Sequence, residues 1–210
     1  MTKHLIILGA GGHGKVAADC AALLGRYSRI SFLDALYPQL QQTGRWPVIG
    51  KGEDVSQFKQ ADTEFFVAIG SNQIRQKVTR QLLTQDCQLA TLIHPMAYVS
   101  QPELIGAGTL VCANAVVNID SKIGLANIIN TGSSVDHDCV LGDFVHIAPG
   151  VRLAGAVCIG ESSFIGIGSV IIPGKIVGSS CILGAGSTLL TDLADYAVAV
   201  GSPAKVIKQQ

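Results

Sequence analysis

The run Ile147-Ala148-Pro149-Gly150-Val151-Arg152-Leu153-Ala154-Gly155-Ala156-Val157-Cys158-Ile159 decides the fold. Its aliphatic residues at 147, 153 and 159 lie six apart, and the spacing continues in both directions without a slip. The full column is Ile93, Val99, Ile105, Val111, Val117, Ile123, Ile129, Val135, Leu141, Ile147, Leu153, Ile159, Ile165, Ile171, Val177, Leu183 and Leu189. A period of six fits neither a 3.6-residue helix nor an alternating strand, so it is a repeat. A hexapeptide repeat predicts a parallel β-helix, in which short strands wind around a prism. Four residues after each aliphatic comes a second column of mostly small side chains, including Thr109, Ala115, Ser121, Ser133, Cys139, Ser163 and Ser187. Small residues are expected where side chains crowd inside a corner. Glycine follows the aliphatic at 106, 124, 142, 160, 166, 178 and 184, which predicts turn conformations there.

Outside this stretch the period is absent, so the chain reads as two domains, 1–90 and 91–210. The first predicts a Rossmann-like α/β unit. His4 to Leu8 reads as a buried strand, Gly9-Ala10-Gly11-Gly12-His13-Gly14 as a glycine loop, and Lys15 to Leu24 as a helix. Ile30 to Leu33 follows as a second strand closed by Asp34. Such glycines let backbone N–H groups approach a phosphate at a helix N-terminus, and an acid at Asp34 can accept from a ribose hydroxyl. The glycines match an NAD fingerprint, but a unit of ~90 residues suits one nucleotide better than two, and phosphate or nucleotide contact is favoured over a merely structural turn. His13 suits either a phosphate or sugar contact or a helix cap. Phe65 to Ile69 predicts a further strand, Gly70-Ser71-Asn72 a turn into a helix reaching about Gln81, and Leu89 to Leu92 a strand closing the sheet. Tyr37 to Gly50, with Pro38, Gly44 and Pro47, reads as an irregular loop.

Composition narrows the function classes. Fifteen Lys plus Arg balance fifteen Asp plus Glu with no basic run, which argues against nucleic acid as a partner. Apolar residues make up 48%, yet Gly, Asn, Asp and Ser break every run well short of the ~18 residues of a membrane span. Leu5-Ile6-Ile7-Leu8 is too short for a signal peptide. Six cysteines without CxxC spacing read as buried free thiols of a cytoplasmic protein, with no metal site.

Together these motifs resemble the bacterial sugar acyltransferases of the PglD/NeuD type. The resemblance spans essentially the whole chain and rests on the glycine loop, Phe32-Leu33-Asp34, Ala68-Ile69-Gly70-Ser71-Asn72, Ile93-His94-Pro95, Asn130-Thr131-Gly132-Ser133, Val135-Asp136-His137-Asp138-Cys139 and the tail Val200-Gly201-Ser202-Pro203-Ala204-Lys205. It implies a left-handed parallel β-helix with three faces, in which three hexads make an 18-residue coil. It implies acetyl-CoA as donor, no metal, and a homotrimer with sites between subunits. His137 is then the general base with Asp138 beside it, and His146, Ile167 and Ala185 are acetyl-CoA contacts. Lys205 reads as a CoA-phosphate contact or as a solvated lysine. Gly11, Gly12, His13, Asp34 and Gly70 are implied to hold the nucleotide of the acceptor. One departure stands out: some relatives carry two consecutive acids after the second strand, and here Asp34 is followed by Ala35.

Stacking coils of 18 puts Gly155 over His137, where its N–H is a candidate oxyanion donor. The same count aligns Pro149, Ile167 and Ala185 in one column. The expected activity is N-acetylation of the 4-amino group of a UDP- or dTDP-linked amino-deoxy sugar in glycan or surface-polysaccharide biosynthesis, by direct transfer. The first domain is expected to hold the nucleotide and present its sugar to the base. The alternatives are a sialic acid-type sugar O-acetyltransferase and a non-catalytic sugar-nucleotide-binding trimeric module.

Overall fold

The computed structural model describes residues 3–209; Met1, Thr2 and Gln210 lie outside them. The chain divides into two compact units, Met1–Pro95 and Met96–Gln210.

The first unit is Rossmann-like. Its elements are β1 (Lys3–Leu8), α1 (Gly12–Leu23), β2 (Tyr27–Leu33), β3 (Gln42–Thr43), β4 (Trp46–Gly50), α2 (Val55–Phe58), β5 (Thr63–Val67) and α3 (Asn72–Thr84). The sheet order is β3-β4-β2-β1-β5, with β1 parallel to both β2 and β5. Leu5, Ile6, Ile7 and Leu8 are all buried, as a central strand covered on both faces requires. One core cluster gathers Ile6, Leu8, Leu33, Val55, Phe65, Val67 and Leu82. Helix α1 presents Gly14, Ala17, Ala18 and Ala21 to the sheet, small residues that let it lie close. Helix α3 begins where the Ser71 hydroxyl accepts from the Ile74 N–H, and it buries Arg75, Thr79 and Leu82 at helical spacing.

The structure corrects two of the expectations for this unit. Tyr37–Gly50 is not an irregular loop: it contains the β3–β4 hairpin, and Val48 and Gly50 of β4 pair with Phe32 and Leu33. Pro47 and Gly44 read as breakers, but Gly44 takes the turn at φ +56° and Pro47 pairs opposite Gln42 in the hairpin. Leu89–Leu92 does not form a full strand on the sheet; Leu89 makes a single parallel bridge to Phe65.

The second unit is a left-handed parallel β-helix with three faces. One face stacks Leu110–Val111, Ile128–Ile129, His146–Ile147, Phe164–Ile165 and Ile182–Leu183. The second stacks Tyr98–Val99, Val116–Val117, Ser134–Val135, Arg152–Leu153, Val170–Ile171 and Thr188–Leu189. The third stacks Lys122–Ile123, Val140–Leu141, Cys158–Ile159 and Ile176–Val177. Every pairing is parallel between residues 18 apart, as in Ile128 with His146. Val111 through Leu189 of the sixfold column are buried, and so are Thr109, Ala115, Ser121, Asn127, Ser133, Cys139, Ser163 and Ser187 of the second column. The inward hydroxyls and amides pair with corner carbonyls: Ser163 donates to Gly178 O at 2.7 Å and accepts from Cys181 N at 2.9 Å. The tail closes the first face, with Ala197–Gly201 parallel to Ile182–Leu183 and Ala204–Gln209 folded back antiparallel.

The corners explain the glycines differently from the turn reading. The left-handed residue is the third after each aliphatic, at 108, 114, 120, 126, 132, 138, 144, 150, 156, 162, 168, 174, 180 and 186. Eight of these fourteen are not glycine: Asn114, Asp120, Ala126, Asp138, Phe144, Ala156, Ser162 and Ser180. Each of those costs about 1–2 kcal/mol of backbone strain. Burying one Ile, Leu or Val per hexad contributes about 1.5–3 kcal/mol, so the repeat tolerates them. The glycines directly after the aliphatics do not take positive φ. They sit where successive coils touch: a Cβ on Gly160 would lie 2.5 Å from Ser179 N, and one on Gly166 2.6 Å from Ala185 N.

Gly160→Ala is therefore expected to lower the thermal midpoint through a loss of about 1–3 kcal/mol from overpacking against backbone. Gly132→Ala, which points into open space at φ +62°, meets only the smaller left-handed cost. Equal midpoints for the two variants would contradict the close-contact explanation.

Candidate functional site

In the second unit His137 stands two residues after Val135, at the corner leading from the second face to the third. Asp138, the left-handed residue of that corner (φ 59°), turns its carboxylate back onto the ring, with Oδ2 2.7 Å from His137 Nδ1. Asp136 braces the same corner from below. Its Oδ1 accepts from the His137 N–H at 2.9 Å and from Asn118 Nδ2, one coil down, at 2.9 Å. The bond to Asp138 and the charge of Asp136 push the His137 pKa up, while the backbone and Asn118 bonds hold Asp136 below its ordinary value. With Nδ1 bonded to a carboxylate, Nε2 is left to take a proton.

Gly155 lies directly against this ring. A Cβ at 155 would fall 2.4 Å from His137 Cε1 and 2.5 Å from Nε2, so only glycine leaves the ring its place. The coil register sets the contact, since Ala156 N–H donates to His137 O at 2.9 Å. Among the described residues nothing accepts the Gly155 N–H, while its carbonyl accepts from Gly174 at 3.0 Å. A proton acceptor and an N–H donor therefore meet at one corner, where Gly155 is buried and the His137 and Asp138 side chains are 57% and 60% accessible.

The other predicted residues of this unit stand elsewhere on the prism. Pro149, Ile167 and Ala185 form one column on the corner between the first and second faces, where Gly168 N–H bonds Pro149 O and Gly186 N–H bonds Ile167 O. Ile167 is 56% exposed there, an apolar step open to contact. His146 projects from the first face, edge-on to Phe164 at 5.1 Å and with Nε2 3.2 Å from Asn130 Nδ2. Lys205 is exposed on the tail hairpin opposite Val200. The structure thus brings His137, Asp138 and Gly155 together, and it does not bring His146, Ile167, Ala185 or Lys205 to that corner of the same chain.

In the first unit the glycine loop divides by task. Gly9 takes φ +103°, and a Cβ on Gly14 would lie 2.1 Å from Gly9 O, so these two glycines shape the turn. Gly11 and Gly12 are exposed, and a Cβ on either would meet open space, leaving room for a ligand at the start of α1. Asp34 has both oxygens engaged: Oδ2 accepts from Ala10 N at 2.7 Å and Oδ1 from Leu36 N at 3.0 Å. It therefore holds the glycine loop in shape.

No side chain caps the start of α1. His13 Nε2 is buried with no partner among the described residues, and burial plus the nearby Arg75 push its pKa down to about 4, so the ring is neutral near pH 7. Arg75 belongs to no sequence motif. It is 1% exposed, and it donates to Ile69 O at 3.1 Å, Gly70 O at 3.3 Å and Asn72 Oδ1 at 2.9 Å, fixing the loop that contains Gly70. Its one signal in the sequence is a helical spacing shared with Thr79 and Leu82. Beside this loop a cavity of about 500 Å³ opens at the carboxyl ends of β1, β2 and β5, lined by Leu33, Asp34, Glu53, Ile69, Ile74 and Gln81 among others. Ligands of open α/β sheets bind at this end. Among the described residues no group of His, Cys, Asp and Glu could hold a metal ion, and no helix is long and apolar enough to cross a membrane.

Known proteins share this architecture. Residues 4–82 match the family model described as the PglD N-terminal domain. The chain is 33% identical over 99 residues to GDP-perosamine N-acetyltransferase of Escherichia coli O157:H7, a match covering 47% of this chain and 45% of that one. The chain spans about half the length of the curated relatives it matches. Among solved structures, the acetyltransferase domain of PglB from Neisseria gonorrhoeae in complex with acetyl coenzyme A is 40% identical, with a TM-score of 0.94 over 99% of this chain and 100% of that one. PerB from Caulobacter crescentus in complex with CoA and GDP-perosamine is 38% identical, with a TM-score of 0.92 over 99% of both chains. With 40% identity carried across nearly all of both chains and a β-helix built from the same repeat, the protein belongs to the PglD-type hexapeptide-repeat sugar acetyltransferases.

Proposed function

We propose that this chain transfers the acetyl group of acetyl-CoA to the amine of a nucleotide-linked amino sugar. The observation that carries the reading is the His137 corner, where a carboxylate-oriented imidazole faces a glycine with a free N–H. The solved relatives add the chemistry of the two ligands, one bound to acetyl coenzyme A and one to CoA and GDP-perosamine.

In the proposed reaction the sugar amine attacks the thioester carbonyl carbon and the N–C bond forms. His137 Nε2 takes the amine proton as that bond forms, and Asp138 stabilises the imidazolium. The carbonyl oxygen gains negative charge, and the Gly155 N–H donates a hydrogen bond to it. The C–S bond then breaks, and the proton passes to the CoA thiolate. No covalent enzyme intermediate is needed: Cys139, two residues from the base, is buried with its thiol pKa pushed up by burial.

The donor column fits the pantetheine arm, and it stands on a different prism edge from His137. We therefore assign each complete site to two copies of the chain, one giving the base and the other the 149–167–185 corner and His146. Three copies around a threefold axis close such a set. The unit containing Gly11, Gly12, His13 and Gly70 holds the nucleotide.

His137→Ala is expected to lower kcat by about 10²–10⁴-fold while acetyl-CoA affinity, measured by calorimetry, changes little; unchanged turnover would remove the base assignment. Asp138→Asn removes the main cause of the raised His137 pKa. The imidazole then loses its proton at lower pH, so the acid limb of the kcat/KM profile shifts downward, as does the His137 titration followed by NMR. Gly155→Ala is expected to reduce kcat more than KM, because the new methyl displaces the ring.

A further inference from the structure

The cavity beside the glycine loop bears on which base the acceptor carries, an inference that rests on the acceptor being nucleotide-linked. Its walls include Ile69, Ile74 and Val78, apolar side chains that suit the face of a planar ring. Two carboxylates line it, and they differ in availability. Asp34 has both oxygens bonded by the backbone N–H groups of Ala10 and Leu36. Glu53 is exposed, and among the described residues neither of its oxygens has a hydrogen-bond or ion-pair partner. Its neighbour Asp54 is again committed, to Lys51 N at 2.7 Å and Gln57 Nε2 at 3.0 Å. Glu53 also lines an adjoining hollow together with Ala35, Lys51 and Gly52. The free carboxylate and Lys51 thus share one hollow at the edge of the cavity, lined also by Ala35.

A carboxylate only accepts hydrogen bonds, and it accepts best as a pair. The edge of guanine offers two adjacent donors, the ring N–H and the 2-amino group, beside a carbonyl that an ammonium can meet. Uracil and thymine offer one N–H between two carbonyls, so a carboxylate gains one bond and faces an oxygen on each side of it. Adenine and cytosine set their amino group beside an unprotonated ring nitrogen, which a carboxylate repels. The Gln81 amide, also in the cavity, can present either end and imposes no choice. We infer that Glu53 reads the base, with Lys51 at its carbonyl, and that the acceptor is a guanosine-diphosphate-linked sugar.

Calorimetry on the full chain tests this with GDP, inosine diphosphate, which lacks only the 2-amino group, and UDP. GDP is expected to bind about tenfold or more tightly than either, the worth of one charge-assisted hydrogen bond. Glu53→Gln, a surface change, is expected to bring GDP and inosine diphosphate within about twofold of each other. Equal wild-type affinities for these two, or tighter binding of UDP, would overturn the assignment of Glu53 and leave the nucleotide-linked acceptor standing. Failure of all three to bind would overturn both.

Discussion

Each coil of the β-helix rests on the one below through parallel backbone pairing of residues 18 apart, and the chemistry proposed for this unit depends on that register. The pairing leaves no freedom to slide, because a shift of one residue would turn the sixfold aliphatic column out of the core. Register therefore fixes which residues share a corner. It sets Gly155 on His137, at an approach to the imidazole that no side chain beyond hydrogen would permit. The geometry proposed for catalysis is a by-product of how the core is packed.

The same rule separates groups that the proposed chemistry needs together. Ile167 lies 30 residues after His137, which is not a multiple of 18, so the two must stand on different edges. His146, nine residues after His137, is half a coil away. In the proposed reaction a prism made of one chain carries a base edge and a donor edge, and neither is a site alone. Association between copies would then do more than stabilise: it would close the distance that the coil length enforces.

Much of this is legible in the sequence because a period of six admits few structures. The solenoid, its inward columns and the His137–Gly155 contact follow from counting. Other features stay hidden for physical reasons. Glycine that avoids a clash and glycine that adopts positive φ look identical in a sequence, so the corner glycines read as turns while the left-handed residues include Phe144 and Ala156. The β3–β4 hairpin is obscured by Pro47 and Gly44, since its existence depends on pairing with β2 rather than on local preference. Asp34 reads as a ligand group, and its second task, accepting from the Ala10 and Leu36 N–H groups, shows only in three dimensions. Arg75 and Glu53 carry no motif, because burial beside a loop and an unshared carboxylate are properties of three-dimensional neighbours.

The most direct measurement is a crystal structure of the assembly with the amino-sugar nucleotide and an acetyl-CoA analogue whose thioester sulfur is replaced by methylene. A base at His137 and an oxyanion donor at Gly155 require the carbonyl oxygen about 2.7–3.1 Å from Gly155 N and the sugar amine within about 3.2 Å of His137 Nε2. The pantetheine arm is expected along the 149–167–185 corner of a second copy. A carbonyl bound away from Gly155, with His137 open to solvent, would contradict these roles.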